Sequence, residues 1–367
     1  MFTHLIRPIL FALKHEQAHR LAVALLRLTG ALPFGRWLLR RCCAVEHPAL
    51  EREVFGVKFR NPIGVAAGID RNGEICNELG AMGFGFVEVG TLTPHPQSGN
   101  PTPRAFRLKD CSGILHRTGE PNQGLQAAIR HLRRRHEGVV VGCNLGCNAS
   151  TPPEEAPRDV LKLFRNLYQY ADYFTINLSG DDVQNDEIVR SERYIRTMLD
   201  PLFDFRRGQN QYRPILVKIS PDLTDEEVDR VTDILIETPL DGVVATNGTR
   251  HLPSGLPAKW GKGRISGATL TERSIAIVRR IHERSGGSYP IIGTGGMLTP
   301  KDVEAMLAAG ADLVQLHSGL IFEGPKLLKA ICTALIPAAE QLPEATTEKT
   351  DEPAVEPTAE ADTTDNQ

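Results

Sequence analysis

The chain has 367 residues, of which 41% are hydrophobic and 24% charged, with a formal net charge of −3. This length suffices for one large domain or two modest ones, and the near-neutral charge leads us to expect no nucleic-acid partner. Seven cysteines without metal-ligand spacing predict no metal site; their odd number and the lack of a signal peptide indicate a reducing compartment. No stretch approaches the roughly 18 uncharged apolar residues of a membrane-spanning helix.

Residues 1–43 form a basic, amphipathic N-terminal segment. Seven basic residues stand against a single acid there, and apolar residues recur at helical spacing in two runs, 5–13 and 21–28. Gly30 and Pro33 end the second run. Such a helix pair is typical of segments that lie flat on an anionic bilayer, and equally of an ordinary helical cap packed on a domain. The pattern alone leaves both interpretations open.

Eight short runs rich in β-branched residues alternate with helix-like stretches along the rest of the chain. This alternation predicts an α/β fold with eight parallel strands, the TIM (β/α)8 barrel, with a doubly wound open sheet as the competitor. The predicted strands are residues 63–67, 86–90, 139–145, 174–178, 215–219, 242–245, 291–294 and 313–316. The predicted helices include residues 73–82, 123–135, 157–170, 224–237, 271–283 and 300–309.

In such a barrel the carboxyl ends of the strands carry the functional residues. Here they present small residues and amides, together with one cation, Lys218, on an apolar strand. A buried lysine requires an anionic partner, which a structural ion pair or a bound cofactor supplies. The glycines of 293–296 and the Ser318-Gly319 pair stand where barrels of this kind bind phosphate. The strand ends therefore predict a phosphorylated cofactor.

The C-terminal end of the chain is acidic. Residues 341–367 contain eight acidic residues and one lysine, with almost no large apolar residue. Such a composition buries too little surface to fold, which predicts a disordered tail. We therefore expect three parts: a helical segment at 1–43, a barrel at 44–338 and an acidic tail at 339–367.

Several motifs together resemble the class 2 dihydroorotate dehydrogenases, which are quinone-dependent and membrane-associated. They include FRNPIGVAAGID at 59–70, GAMGFGFVEVGTLTP at 80–94, PRAFRL at 103–108, VKISPDL at 217–223, IGTGG at 292–296 and SGLIFEGP at 318–325. The resemblance extends over nearly the whole chain up to the tail. It implies a TIM barrel that holds FMN at its strand ends, with N-terminal helices that lie on the membrane and admit a quinone. A monomer, bound peripherally to the cytoplasmic face of the inner membrane, is the corresponding expectation.

The family's flavin contacts carry over well to this sequence. His317 stands where the family usually has tyrosine, and Arg71 where it has lysine at the edge between flavin and substrate. The cofactor-binding residues that the resemblance implies are Ala67, Gly68, Arg71, Thr91, Asn144, Asn177, Lys218, Thr246, Gly267, Gly296, His317 and Ser318.

The substrate contacts depart from the family's pattern. The position of the family's catalytic serine is Gly180, followed by Asp181 and Asp182, so no catalytic base is identified. Oxidation of dihydroorotate needs a base, and loss of a positioned base typically costs about 10²–10⁴ in rate. The residues at the substrate positions are Arg71, His116, Glu120, Asn177, Asp182, Asn247 and Gly248.

Three functional hypotheses follow. The first is a flavin-dependent oxidoreductase with an altered small-molecule substrate, which the new acids Glu120 and Asp182 favour. The second is a divergent enzyme that still oxidises dihydroorotate to orotate for pyrimidine synthesis. The third is a non-catalytic homologue that binds FMN as a regulatory module.

Overall fold

Eight parallel strands close into a barrel. The computed structural model describes residues 6–136, 138–178, 192–252 and 262–337. Its barrel strands are β3 (Ile63–Asp70), β4 (Phe86–Leu92), β7 (Val140–Leu145), β8 (Tyr173–Asn177), β9 (Ile215–Ile219), β10 (Gly242–Ala245), β12 (Ile291–Thr294) and β13 (Leu313–Leu316). They follow the order β10-β12-β13-β3-β4-β7-β8-β9 around the barrel. The predicted TIM-barrel fold is confirmed.

Helices surround this barrel and connect its strands. Two of them, Asp225–Glu237 and Pro300–Ala308, begin with capping boxes, formed by Thr224 with Glu227 and by Thr299 with Asp302. The helices after the N-terminal segment are α4 (Cys76–Ala81), α5 (Gly124–Leu132), α6 (Ala156–Leu167), α7 (Glu192–Arg207), α8 (Asp225–Glu237), α9 (Thr271–Arg284), α10 (Pro300–Ala308), α11 (Ser318–Glu323) and α12 (Lys326–Leu335).

One predicted helix, 73–82, is shorter than expected. The Asp70 carboxylate accepts hydrogen bonds from the backbone N–H groups of Asn72, Glu74 and Ile75, at 3.3, 2.9 and 2.9 Å. These bonds fold residues 71–75 into a turn, so α4 starts only at Cys76. A side chain that satisfies backbone donors locally competes with a helix in this way.

Apolar side chains fill the barrel lumen near the end at which the strands begin. An antiparallel hairpin, β1 (Arg52–Val54) and β2 (Val57–Phe59), closes the end at which the strands begin. Its Phe59 ring packs on Phe86, with ring centroids 5.3 Å apart. The cluster comprises Val54, Phe59, Phe86, Tyr173, Leu216, Val244, Ile292 and Leu313. Each large side chain buried here contributes about 1.5–3 kcal/mol.

A second sheet lies outside the barrel. Strands β5 (Ala105–Leu108), β6 (Gly113–His116) and β11 (Arg264–Gly267) pair antiparallel in the order β11-β6-β5. Two of these strands come from the long connection between β4 and β7, and the third from the segment after β10. The sequence prediction did not include this sheet.

The described part of the N-terminal segment, residues 6–43, contains three helices rather than the predicted pair: α1 (Arg7–Ala12), α2 (His15–Ala31) and α3 (Gly35–Cys43). Helix α2 continues through Gly30, and α3 follows Phe34, which has a φ of 65°. Within the described residues no single helix is long and apolar enough to cross a membrane; α2 and α3 pass that test only as a pair, bent by 114°.

Polar contacts attach this N-terminal segment to the barrel domain. Arg104 forms an ion pair with Glu16 at 2.7 Å, and Arg107 donates to the carbonyl oxygen of Leu10 at 2.9 Å. Arg27 and Glu74 lie 3.4 Å apart. The acidic tail that we predicted at 339–367 lies outside the described residues.

Candidate active site

A single pocket brings together the predicted site residues that the structure describes. It opens at the carboxyl ends of the barrel strands and has a volume of about 1200 Å³ including its mouth. The predicted residues that line it are Ala67, Gly68, Arg71, Thr91, His116, Glu120, Asn144, Asn177, Lys218, Thr246, Asn247, Gly248, Gly267, Gly296, His317 and Ser318. Their individual roles remain predictions. Asp182, with Gly180 and Asp181, lies outside the described residues.

The floor of the pocket carries a buried cation. Lys218 is 6% exposed, and among the described residues its ammonium group forms no hydrogen bond and no ion pair within 4.0 Å. Burial lowers the pKa of Lys218, and the negative charge of Glu88 opposes this shift. The floor therefore offers a positive charge to a ligand.

Below this cation, the Glu88 carboxylate is completely buried and accepts four hydrogen bonds. Asn144 Nδ2 donates to Oε1 at 2.8 Å. Gln315 Nε2, Thr175 Oγ1 and Tyr173 Oη donate to Oε2, at 2.7, 3.0 and 3.3 Å. Together these groups form a polar layer directly above the apolar filling of the lumen.

The Glu120 carboxylate lines the pocket and contacts the amide of Asn177, a predicted substrate residue. Asn177 Nδ2 donates to Glu120 Oε1 at 2.9 Å and to Thr91 Oγ1 at 3.3 Å, while Asn247 Nδ2 lies 3.5 Å from Asn177 Oδ1. Glu120 has a φ of 47°. Its carbonyl oxygen accepts a hydrogen bond from Asn122 Nδ2 at 2.9 Å, which helps to hold this uncommon backbone conformation. The orientation of the carboxylate is thus fixed by both its backbone and its side-chain contacts.

Glycines form the opposite rim of the pocket. Gly267, Gly295 and Gly296 have φ values of 120°, 111° and 81°. A Cβ atom on Gly295 would lie 2.3 Å from Ser274 Oγ, and one on Gly296 would lie 2.5 Å from the Thr271 backbone nitrogen. Only glycine fits such positions, and their backbone N–H groups are accessible to a ligand at close range.

Two substituted family positions, Arg71 and His317, lie at the pocket wall. Arg71 Nε donates to the Gly68 carbonyl oxygen at 3.3 Å, and burial lowers the pKa of its guanidinium group. Burial also lowers the pKa of His317, so we take this imidazole as neutral. Its buried Nδ1 has no hydrogen-bond partner among the residues that the structure describes. His116 Nε2 would lie 3.5 Å from a Cβ on Gly248.

The sequence prediction missed two histidines of the N-terminal segment. His15 and His19, one turn apart on α2, line the same pocket as Lys218. Burial lowers the pKa of His15 to about 3 and that of His19 to about 4. His19 Nε2 lies 2.9 Å from the Ile69 carbonyl oxygen. Their spacing of four residues was the available signal, since it places both on one helix face.

Comparisons with known proteins agree with this architecture. Residues 49–338 match the family model described as dihydroorotate dehydrogenase. A dihydroorotate dehydrogenase (quinone) from Christiangramia forsetii is 41% identical over 333 residues, covering 90% of this chain and 97% of that protein. A Bordetella avium protein of the same name is 41% identical over 334 residues, covering 88% and 94%.

Solved structures give the same result. The dihydroorotate dehydrogenase of Eimeria tenella in complex with ferulenol has a TM-score of 0.77 and 31% identity, covering 86% of this chain and 89% of that one. Its ligand-free form has a TM-score of 0.78 and 31% identity, covering 86% and 92%. The chain belongs to the dihydroorotate dehydrogenase family of flavin-dependent oxidoreductases.

Proposed function

We propose that this protein is an FMN-dependent oxidoreductase that passes electrons to a quinone and takes a substrate other than dihydroorotate. Family membership and the names of its relatives support the flavin and the quinone. The observation that carries the altered substrate is the 2.9 Å hydrogen bond between Asn177 and the Glu120 carboxylate inside the pocket.

FMN suits the residues at both ends of this pocket. The buried Lys218 offers a positive charge without a described hydrogen-bond partner, which fits a flavin carbonyl oxygen or ring nitrogen. Gly267, Gly295 and Gly296 line the pocket with positive φ values that favour glycine, which would allow their backbone N–H groups to approach a phosphate closely. When bound, FMN would supply hydride and electron transfer.

The Glu120 carboxylate favours a substrate with hydrogen-bond donors or a positive charge. Dihydroorotate is itself a carboxylate, and like charges in a partly dry site repel each other by several kcal/mol at about 4–6 Å. Asn177 Nδ2 already donates hydrogen bonds to Thr91 and to Glu120. A substrate that donates to Glu120 would complete this set of contacts.

Position 180 supports the same conclusion from the sequence. The resemblance assigns the proton-abstracting serine to this position, and glycine has no group that can accept a proton. Side chains that could exchange protons with a new substrate are His116, Glu120, Asp181 and Asp182. Of these, only His116 and Glu120 are among the residues that the structure describes, and both line the pocket.

The decisive experiment mixes the purified flavoprotein with dihydroorotate without oxygen and follows the absorbance of oxidised flavin. The Bordetella avium relative serves as the matched control under the same conditions. We expect flavin reduction at least about 10²-fold slower than in the control, because a positioned base is missing. Flavin reduction at the rate of the control would refute the altered substrate.

Oxidation of dihydroorotate remains the second candidate function. It is favoured by relatives of about 40% identity that carry that name and align over most of their length. The same anaerobic experiment separates the two candidates. A protein that binds FMN, yet reduces no quinone with any electron donor, would instead support the non-catalytic hypothesis.

We also propose that α1–α3 hold a monomer on the cytoplasmic face of the inner membrane. Large apolar side chains on α2, on α3 and in the turn between them are exposed: Phe34 by 82%, Trp37 by 63%, Leu28 by 59% and Leu32 by 56%. An exposed apolar surface on a basic segment suits an anionic bilayer. His15 and His19 connect α2 to the pocket, which supports access of a quinone from this side. In this arrangement 1–43 is the membrane-binding part, 44–338 the catalytic barrel and 339–367 a separate tail.

A further inference from the structure

We propose that Glu88 is a positioning residue for the pocket, because it is the internal counter-ion of Lys218 and orients the amide of Asn144. The family comparison assigns neither of these two roles to Glu88. The flavin part of this inference rests on the proposed function, whereas the pairing of the two charges does not.

Four side-chain donors surround the Glu88 carboxylate. Side-chain amide N–H groups reach both carboxyl oxygens, Asn144 Nδ2 at Oε1 and Gln315 Nε2 at Oε2. Thr175 and Tyr173 contribute two further hydroxyl donors. Four donors around one carboxylate stabilise a negative charge that is wholly buried.

The barrel brings this carboxylate and Lys218 into the same part of the lumen. Lys218 lines the same pocket as Asn144 and Gln315, and both of these amides donate to the Glu88 carboxylate. Both charged residues are buried, and Glu88 provides the favourable charge acting on the lysine. A buried cation without such a charge would tend to lose its proton.

Glu88 also determines which way the Asn144 amide faces. Asn144 Nδ2 donates to the carboxylate, so Asn144 Oδ1 is directed to Thr91. It accepts a hydrogen bond from the Thr91 hydroxyl group at 2.8 Å. Thr91 Oγ1 can then accept from Asn177 Nδ2 at 3.3 Å, and Asn177 in turn contacts Glu120. A continuous series of hydrogen bonds thus connects the buried carboxylate to the one that faces the substrate space.

The first test is a double-mutant cycle in thermal unfolding with Glu88→Gln, Lys218→Met and the double variant, each as purified. Each single variant leaves one buried charge without its partner and should lower the melting temperature by roughly 5–10 °C. The double variant should recover at least half of the larger loss, and should fold even where a single variant does not. Losses that simply add, or a double variant that fails to fold, would overturn the pairing.

The second test uses the midpoint potential of the bound flavin, which a purely structural role would not change in a directed way. If Glu88 keeps Lys218 charged, Glu88→Gln should lower the equilibrium constant for flavin reduction at least tenfold, about 30 mV for a two-electron couple. In the Lys218→Met background the same change removes only a negative charge and should not lower the potential. A higher potential in Glu88→Gln would show that the lysine stays charged alone and would refute the proposal.

Tyr173→Phe is the matched control for both tests. It removes the longest of the four hydrogen bonds to Glu88, at 3.3 Å, and leaves the charge in place. We expect its flavin potential to stay within a few millivolts of the unaltered protein, and its thermal loss not to depend on Lys218. A potential shift in Tyr173→Phe equal to that of Glu88→Gln would assign the effect to packing instead of charge.

Discussion

Replacing Glu120 by Gln should strengthen the binding of orotate, the anionic product of dihydroorotate oxidation. The substitution keeps the size of the side chain and an oxygen that can accept from Asn177 Nδ2, now 2.9 Å from Glu120 Oε1. It removes one negative charge from the pocket. For a ligand carboxylate about 6 Å away at an effective dielectric constant of about 20, the repulsion removed is about 3 kcal/mol. Binding should therefore tighten by roughly 100-fold.

The assay is a titration of the flavin absorbance with orotate, repeated at low and high salt. Salt should reduce the difference between the variant and the unaltered protein only weakly, because Glu120 lies inside the pocket. Glu237→Gln, at the C-terminal end of α8, is the control for a change of net charge alone and should leave the affinity unchanged. A gain below threefold in Glu120→Gln would mean that this carboxylate does not oppose anionic ligands, and the altered substrate would lose its main support.

Further predictions concern the cofactor, the membrane and acid stability. Lys218→Met should weaken FMN binding roughly 10- to 100-fold, as expected for loss of a hydrogen bond to a charged group, measured by flavin release on dilution. Trp37→Asp should reduce recovery on anionic vesicles at least tenfold, whereas Ile236→Asp, also at an exposed apolar residue, should not. Because burial lowers the pKa of His15 to about 3 and of His19 to about 4, the unfolded chain binds protons between about pH 6.5 and 4 that the folded protein does not. The free energy of unfolding, measured with urea, should fall as pH falls through this window. His15→Phe or His19→Phe should each lower its slope against pH by about 1.4 kcal/mol per pH unit. An unchanged slope would contradict the burial of these rings.

The barrel and most of its pocket could be predicted from the sequence, because both depend on local patterns. Four of the eight predicted strands have the observed bounds, among them β9 with Lys218. In a parallel barrel all strands end on the same side, so residues at those ends must share one site. This rule alone brought Thr91, Asn144 and Asn247 together, although they are far apart in the chain.

Local patterns failed where a side chain found a partner that periodicity does not reveal. The helix predicted at 73–82 starts late because the Asp70 carboxylate binds the backbone of the preceding turn. The apolar spacing of α2 indicated an amphipathic helix, but not that His15 and His19 reach the pocket. Such contacts depend on which surface packs against the helix, and that surface comes from distant parts of the chain.

The sequence by itself therefore determined the strands, the family and the residues available at the strand ends. Only the tertiary structure decided their partners. Closure of the barrel places Glu88 of β4 and Lys218 of β9 in one lumen, and a left-handed backbone at Glu120 directs its carboxylate to Asn177. The physical reason is that electrostatic and hydrogen-bond energies depend on distance and direction in space, which a linear pattern of residues does not contain.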